Sequence, residues 1–93
     1  MELMTPTIHL NGTGAKTLRL EYKSARETVH AALEAVQDTA PNARDYYVKN
    51  DVNAFRTACQ QHQARMERLA QVRDELDALY MACIPAENGS EID

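Results

Sequence analysis

The chain has 93 residues, a formal net charge of −4, one phenylalanine, four tyrosines and no tryptophan. A single domain of this size buries only a thin core, so we expect self-association to supply part of its stability. The acidic balance argues against a general nucleic-acid-binding protein. The lack of any stretch near the ~20 apolar residues of a membrane span, or of a secretory leader, predicts a cytoplasmic protein with no membrane partner.

Residues 1–12 are predicted to form an extended N-terminal arm. Pro6 biases the preceding residue away from helix, and Ile8 and Leu10 alternate with polar neighbours. A lone short strand has no sheet to join here, so we expect Ile8 and Leu10 to pack onto the apolar surface between the helices. The two glycines of segment 11–14 indicate a turn after the arm.

The first predicted helix covers residues 15–40, with Thr13 or a neighbour as its cap. Its apolar positions recur in steps of three and four residues, which is the period of a helix face. They are Leu18, Tyr22, Ala25, Val29, Ala32 and Val36. Leu33 widens this stripe, and Pro41 is predicted to end the helix.

Residues 41–50 are predicted to connect two helices, and their composition is unusual for such a linker. Two adjacent tyrosines, Tyr46 and Tyr47, follow Arg44 and Asp45. Phenol and guanidinium groups can stack on a planar ligand, and a carboxylate adds directional hydrogen bonds. The alternative is local packing, in which Asp45 caps a turn, Arg44 pairs with it, and the tyrosines cover the end of the hairpin.

The second predicted helix covers residues 51–84, where no glycine or proline interrupts good helix formers. Its seam positions again step by three and four residues. They are Val52, Phe55, Cys59, His62, Met66, Leu69, Val72 or Arg73, Leu76, Tyr80 and Cys83. Asp51 is predicted to cap the helix and Pro85 to end it after Ile84. Residues 85–93 are predicted to be a disordered tail.

Together these elements predict an all-α fold, an antiparallel two-helix hairpin over residues 13–84. A tight reversal would place residues whose numbers sum to about 92 opposite each other, with His62 level with His30. Leu33, Leu79 and one of the pair Val72 and Leu76 then lie outside the seam. These extra apolar positions predict a homo-oligomer, a dimer or higher, most simply a four-helix bundle.

Glu27 and His30 form a Glu-x-x-His pair, a spacing found among the ligands of di-iron helical bundles. A dimer would supply two such pairs, each close to His62. The second helix places no glutamate on the seam near His62, so the ligand count argues against a metal. We expect no metal and no cofactor, and interpret His62 as a seam residue that fixes register, with a pH-sensitive or ligand-contacting role as the alternative.

The segment Gly14-Ala15-Lys16-Thr17 resembles the end of a phosphate-binding loop, but His9 stands where the motif needs glycine. A glycine turn before a helix explains it, and an anion on the free amides of the helix start is the second interpretation.

Cys59 lies three residues before His62 without an orienting acid, so we expect no enzymatic activity. Cys59 and Cys83 are too far apart on one helix to bond to each other, which predicts reduced thiols.

Two segments give the chain a resemblance to a family of small proteins from phage and prophage genomes. They are Ile8-His9-Leu10-Asn11-Gly12-Thr13 and Pro41-Asn42-Ala43-Arg44-Asp45-Tyr46-Tyr47. The spacing between them and the charged helix that follows also fit, so the similarity covers most of residues 7–84. Ala43 stands where members of that family usually have glycine. The resemblance implies a phage or prophage origin and a site of action in the host cytoplasm, and it carries over no catalytic or binding residue.

The sequence therefore predicts a non-enzymatic phage accessory protein that acts by binding. In the sharper form of this hypothesis it sequesters a small anionic ligand or signalling nucleotide in pockets at the edge of an oligomer, to counter host defence. The predicted contact residues are Asn11, Thr13, Arg44, Asp45, Tyr46 and Tyr47. The alternative is a protein-interaction module, a virion-assembly helper or an inhibitor of a host protein, that uses Arg65, Arg68 and Arg73 on the long helix.

Overall fold

The computed structural model describes residues 2–6, 14–47 and 51–90, with the backbone alone for residues 85–90. It contains helix α1 (Ala15–Gln37), a single 3-10 turn (Ala43–Asp45) and helix α2 (Ala54–Ser90). The described residues contain no strand, and the predicted all-α helical hairpin is confirmed. The molecule is elongated, with a radius of gyration of 19.6 Å, whereas a compact chain of this length has about 12 Å.

Helix α1 begins where predicted and ends three residues earlier, at Gln37 rather than residue 40. At its start the carbonyl of Gly14 accepts a hydrogen bond from the Leu18 amide at 3.0 Å. At its end the amide and the hydroxyl of Thr39 both donate to the Val36 carbonyl, at 2.9 and 2.6 Å. Ala40 cannot continue the helix because a residue before proline is disfavoured in helical conformation.

Helix α2 begins at Ala54, three residues later than predicted, because Asp51 stabilises a turn in front of the helix. The Asp51 carboxylate accepts from the Asn53 amide at 2.9 Å, and its carbonyl accepts from Ala54 at 3.1 Å. The first helical bond then runs from the Thr57 amide to the Asn53 carbonyl, at 2.8 Å. The predicted linker of residues 41–50 is therefore longer, from residue 38 to residue 53, and contains the 3-10 turn.

Helix α2 continues through Pro85 to Ser90, so the predicted end at Ile84 is wrong. Proline removes one backbone donor and clashes with the carbonyl four residues earlier, which costs about 3 kcal/mol in a helix interior. The five residues after Pro85 keep their amide donors and continue the helical hydrogen bonding. Of the predicted disordered tail, residues 85–90 are helical and residues 91–93 lie outside the described part of the chain.

The helices pack antiparallel, but their register differs from the predicted one. Arg26 contacts Asp77, and His30 contacts Arg73, so the numbers of facing residues sum to about 103 rather than 92. The shift is about three helical turns, or roughly 16 Å along α2. The longer linker explains it: Gln37 lies level with about residue 66, and the first turns of α2 extend beyond α1. His62 is consequently not level with His30.

The seam of α1 is also rotated from the predicted stripe. Leu33, predicted to lie outside the seam, is buried, whereas Ala32, predicted on it, is exposed. Arg26 explains the rotation, because its side chain crosses to α2 and takes a place on the seam between Tyr22 and Val29. A long arginine buries its methylene groups while its charged end stays at the edge.

Helix α2 shows matching corrections. Of the predicted alternatives Val72 and Arg73, Arg73 faces α1 and Val72 is 44% exposed. The predicted seam residues Val52 and Phe55 are 99% and 38% exposed, since α1 ends before it reaches their level. Cys83 is buried at 1% exposure. Ala15, Leu33 and Cys83 are the buried apolar residues among the described side chains.

The described part of the N-terminal segment, residues 2–6, forms neither helix nor strand. Leu3 is half-buried and lies beside the outer face of α2, where it lines a shallow depression with Glu67, Ala70 and Gln71. The predicted contacts of Ile8 and Leu10 with the helices lie outside the described residues. No described helix is both long enough and apolar enough to cross a bilayer.

Candidate functional site

The predicted contact residues of the linker lie at the closed end of the hairpin, where a local turn fixes them. The side chain of Asn42 accepts a hydrogen bond from the Arg44 amide at 3.1 Å, and its carbonyl accepts from the Asp45 amide at 3.0 Å. Asparagine favours such turns because its short amide mimics a backbone carbonyl. The 3-10 turn thus holds Arg44 and Asp45 next to the two tyrosines.

Tyr46 and Tyr47 differ in environment although they are adjacent. The ring of Tyr46 is half-buried and lies 6.2 Å from the ring of Phe55, tilted by 46°, within the range of favourable aromatic pairs. Tyr47 is 79% exposed. Tyr46 therefore ties the linker to the start of α2, and Tyr47 presents its phenol ring to solvent.

A cavity of about 370 Å³ opens beside these tyrosines at the end of the hairpin. Its lining is mostly aromatic and aliphatic: Ala43, Tyr46, Tyr47, Asp51, Val52 and Phe55. We call this the hairpin-end site. Sequence reasoning found the tyrosines but placed Val52 and Phe55 on the helix seam, since their spacing continues the seam pattern. They are exposed because α1 ends at Gln37, before it reaches their level, and the spacing of α2 carries no signal of this.

Arg44 and Asp45 lie beside the hairpin-end site rather than in its lining, and both side chains are exposed. Among the described residues, no carboxylate lies within ion-pair distance of the Arg44 guanidinium, so the predicted local Arg44–Asp45 pair does not form. Asn11 and Thr13, the other two predicted contact residues, lie outside the described residues. The structure thus brings four of the six predicted residues to one end of the hairpin.

A second concave region, the polar groove, lies along one side of the helix seam. Its cavity is about 500 Å³, and its lining is charged: Arg26, Glu27, His30, Arg73, Asp74 and Asp77. Arg26 donates to the Asp77 carboxylate at 2.6 Å, and its guanidinium lies 4.7 Å from the centre of the Tyr80 ring. Arg73 donates to Asp74 at 3.2 Å. Each arginine in the groove therefore already has a carboxylate partner.

The hydrogen bonds of His30 follow from what its partners can do. A guanidinium nitrogen of Arg73 lies 3.4 Å from Nδ1 of His30, and arginine can only donate. Nδ1 must accept, so Nε2 carries the proton and donates to the Glu34 carboxylate at 3.2 Å. His30 thereby links the two helices, with Arg73 of α2 beside one ring nitrogen and Glu34 of α1 beside the other.

The predicted metal alternative of Glu27, His30 and His62 is not supported by this arrangement. His62 lies about three turns from the level of His30, and its Nδ1 is buried without a hydrogen-bond partner among the described residues. The described residues contain no group of three histidine, cysteine or acidic side chains placed to hold a metal ion. Cys59 and Cys83 are not joined in a disulfide.

We expect a double-mutant cycle on Arg26→Ala and Asp77→Ala to give a coupling free energy of about 0.5–1 kcal/mol, because the pair is short but half-exposed. Its value should fall in 1 M salt. The control cycle uses Lys23→Ala and Glu27→Ala, a looser pair at 4.0 Å within α1, for which a few tenths of a kcal/mol are expected. Equal couplings in urea unfolding would contradict the interhelix contact.

Comparison with known proteins adds no assignment to this geometry. A scan of protein-family models, a search of curated proteins and a search of solved structures each returned no match for the chain.

Proposed function

We propose that this protein acts by binding, and that it sequesters a small anionic ligand, of the class of signalling nucleotides, at the hairpin-end site. The observation that carries the proposal is a pair of exposed side chains at the hairpin end, the phenol ring of Tyr47 and, three residues before it, the Arg44 guanidinium, which has no carboxylate partner among the described residues. An exposed arginine without a carboxylate partner keeps its full capacity for a phosphate. A neighbouring aromatic ring offers a stacking surface for a base.

The polar groove supports the proposal less well, although it is larger. Arg26 and Arg73 are both engaged by carboxylates at 2.6–3.2 Å, and an anion would have to displace them. Carboxylates lie near both sites, Glu27 and Asp77 in the groove and Asp45 and Asp51 at the hairpin end, so they do not separate the two sites. An accessory role in a phage-infected cell accords with the resemblance to small phage proteins, and the exposed side chains of the hairpin end support the binding role.

The test is native mass spectrometry of the protein mixed with a panel of linear and cyclic nucleotides. We expect a retained nucleotide on the wild-type protein, and at least a tenfold loss of affinity in the double variant Arg44→Ala with Tyr47→Ala, because one phosphate contact and one stacking contact are lost. Lys16→Ala is the matched control, since it removes one exposed positive charge at the start of α1. An equal loss of nucleotide affinity in the control variant, or no nucleotide bound to the wild-type protein, would contradict the proposal.

A second candidate, docking of a partner protein at the same site, is favoured by one observation. Val52 is 99% exposed beside Tyr47 and Phe55, and an exposed apolar cluster is typical of a protein contact. The predicted alternative through Arg65, Arg68 and Arg73 is weakened, because Arg73 lies in the polar groove with Asp74 and His30. The variant Arg44→Ala separates the candidates: it should weaken nucleotide binding, whereas a partner protein that docks on the apolar cluster of Val52 and Phe55 does not need the guanidinium and should still be captured.

A further inference from the structure

The two sides of the helix seam differ in chemistry. One side is the polar groove. Successive residues of a helix are rotated by about 100°, which places the small and apolar residues of the other side opposite Arg26 and His30. These residues are Ala25, Val29, Ala32, Val36, Val72 and Leu79, and we call their surface the apolar groove. Its α1 edge, from Ala25 to Val36, is about 16 Å long.

The apolar groove is only partly covered within one chain. Ala32 is exposed and Val72 is 44% exposed, while the other members are half-buried. The chain exposes 7142 Å² in total, which is about 1,700 Å² more than a compact protein of this mass. A stable interface of standard size removes about 800 Å² from each partner. The hairpin therefore has enough surface to spare for an interface of that size, and the exposed Ala32 and Val72 lie in it.

The charges beside the apolar groove identify that partner. Glu21 borders the groove on α1, towards the open end of the hairpin, and Arg65 and Arg68 border it on α2, towards the closed end. All three side chains are exposed, and none has an ion-pair partner among the described residues.

The spacing of these charges suits a symmetric contact. In the register of the hairpin, Arg68 lies level with residue 35 of α1, which is about 21 Å along the helix axis from Glu21. A surface with an acidic group near one end and basic groups near the other is complementary to a second copy of itself. The two copies are then related by a two-fold axis perpendicular to the helices.

We propose that the apolar groove binds a second copy of this chain, and that such a two-fold axis relates the two copies. The two hairpins then form a four-helix bundle in which the α1 helices of the two copies are antiparallel. An axis that brings Glu21 level with Arg65 and Arg68 of the other copy also brings Ala25 level with Ala32. Small residues at these positions allow the helices to approach closely. This dimer does not depend on a ligand at the hairpin-end site, so its test uses the protein alone.

The test compares two neighbouring alanines that are both exposed in one chain. Ala32 lies in the apolar groove, and Ala31 lies on the outer face of α1. We expect Ala32→Glu to raise the dissociation constant of the dimer about a hundredfold or more, because the two-fold axis buries two new carboxylates. We expect Ala31→Glu to leave it unchanged. Analytical ultracentrifugation over a range of protein concentrations measures both.

A monomeric wild-type protein over the whole concentration range would overturn the proposal, as would equal dimerisation of the two variants. If Ala32→Glu unfolds, circular dichroism at increasing concentration decides. A melting temperature of the wild type that rises with concentration supports the dimer, and one that stays constant contradicts it.

Discussion

Replacing Leu33 with alanine should lower the free energy of unfolding by about 2–5 kcal/mol, the range for truncating a buried leucine. Leu33 is 9% exposed, and it is one of the few apolar side chains that the described part of the hairpin buries. A core this thin has little other packing to close the void, so the loss should lie well inside that range rather than at its lower end. Urea unfolding at one fixed protein concentration measures it, because any self-association makes stability depend on concentration.

Leu20→Ala is the matched control for this prediction. Leu20 lies on the same helix, is the same residue type and is 45% exposed, so its truncation should cost less than about 1 kcal/mol. If both substitutions destabilise the protein equally, the assignment of Leu33 to the seam is wrong. The sequence-based prediction, which placed Leu33 outside the seam, would then be the better description of α1.

The largest single effect is expected for Cys83→Asp, which should unfold the hairpin or destabilise it by more than about 3 kcal/mol, because it buries a charge. Cys83 is 1% exposed, and in the register of the hairpin it lies level with the second turn of α1. Met81→Asp places the same carboxylate two residues earlier, where the side chain is 55% exposed. Thermal unfolding followed by circular dichroism should show little change for Met81→Asp.

Cys83→Ala separates the loss of volume from the burial of charge, and we expect it to destabilise by about 1 kcal/mol. A Cys83→Asp variant that melts at the same temperature as Met81→Asp would contradict the buried position of Cys83. It would also contradict the register that places Cys83 level with the second turn of α1.

The existence of both helices could be predicted from the sequence, because the three-and-four spacing of apolar residues persists over many turns. Their ends were less predictable. Pro85 is the clearest case: its missing amide predicts a helix end, yet α2 continues for five more residues. One lost hydrogen bond does not outweigh the bonds that the following residues can still form.

The register could not be predicted because it depends on two polar residues and on the linker. Apolar spacing fits several registers that differ by whole turns, and nothing in it favours Arg26 opposite Asp77. The linker also uses more residues than a tight reversal needs, since it forms its own 3-10 turn. That turn shifts α2 past the end of α1 and takes His62 away from the level of His30.

The hairpin-end site was predicted in part for the same reason. Arg44, Asp45, Tyr46 and Tyr47 are close in sequence, so their proximity required no knowledge of the register. Val52 and Phe55 follow the apolar spacing of α2 and were therefore assigned to the seam. Their exposure arises only because α1 ends before their level, which is a property of the whole hairpin.

The central claim, that the hairpin end is the binding site, is tested most directly by amide chemical-shift mapping of the ¹⁵N-labelled protein with the same nucleotide panel. We predict that the largest shifts occur at residues 42–47 and 51–55, around Arg44, Tyr47 and Phe55. Shifts centred instead on Arg26, His30 and Arg73 would move the site to the polar groove. An unchanged spectrum with every nucleotide would contradict the claim altogether.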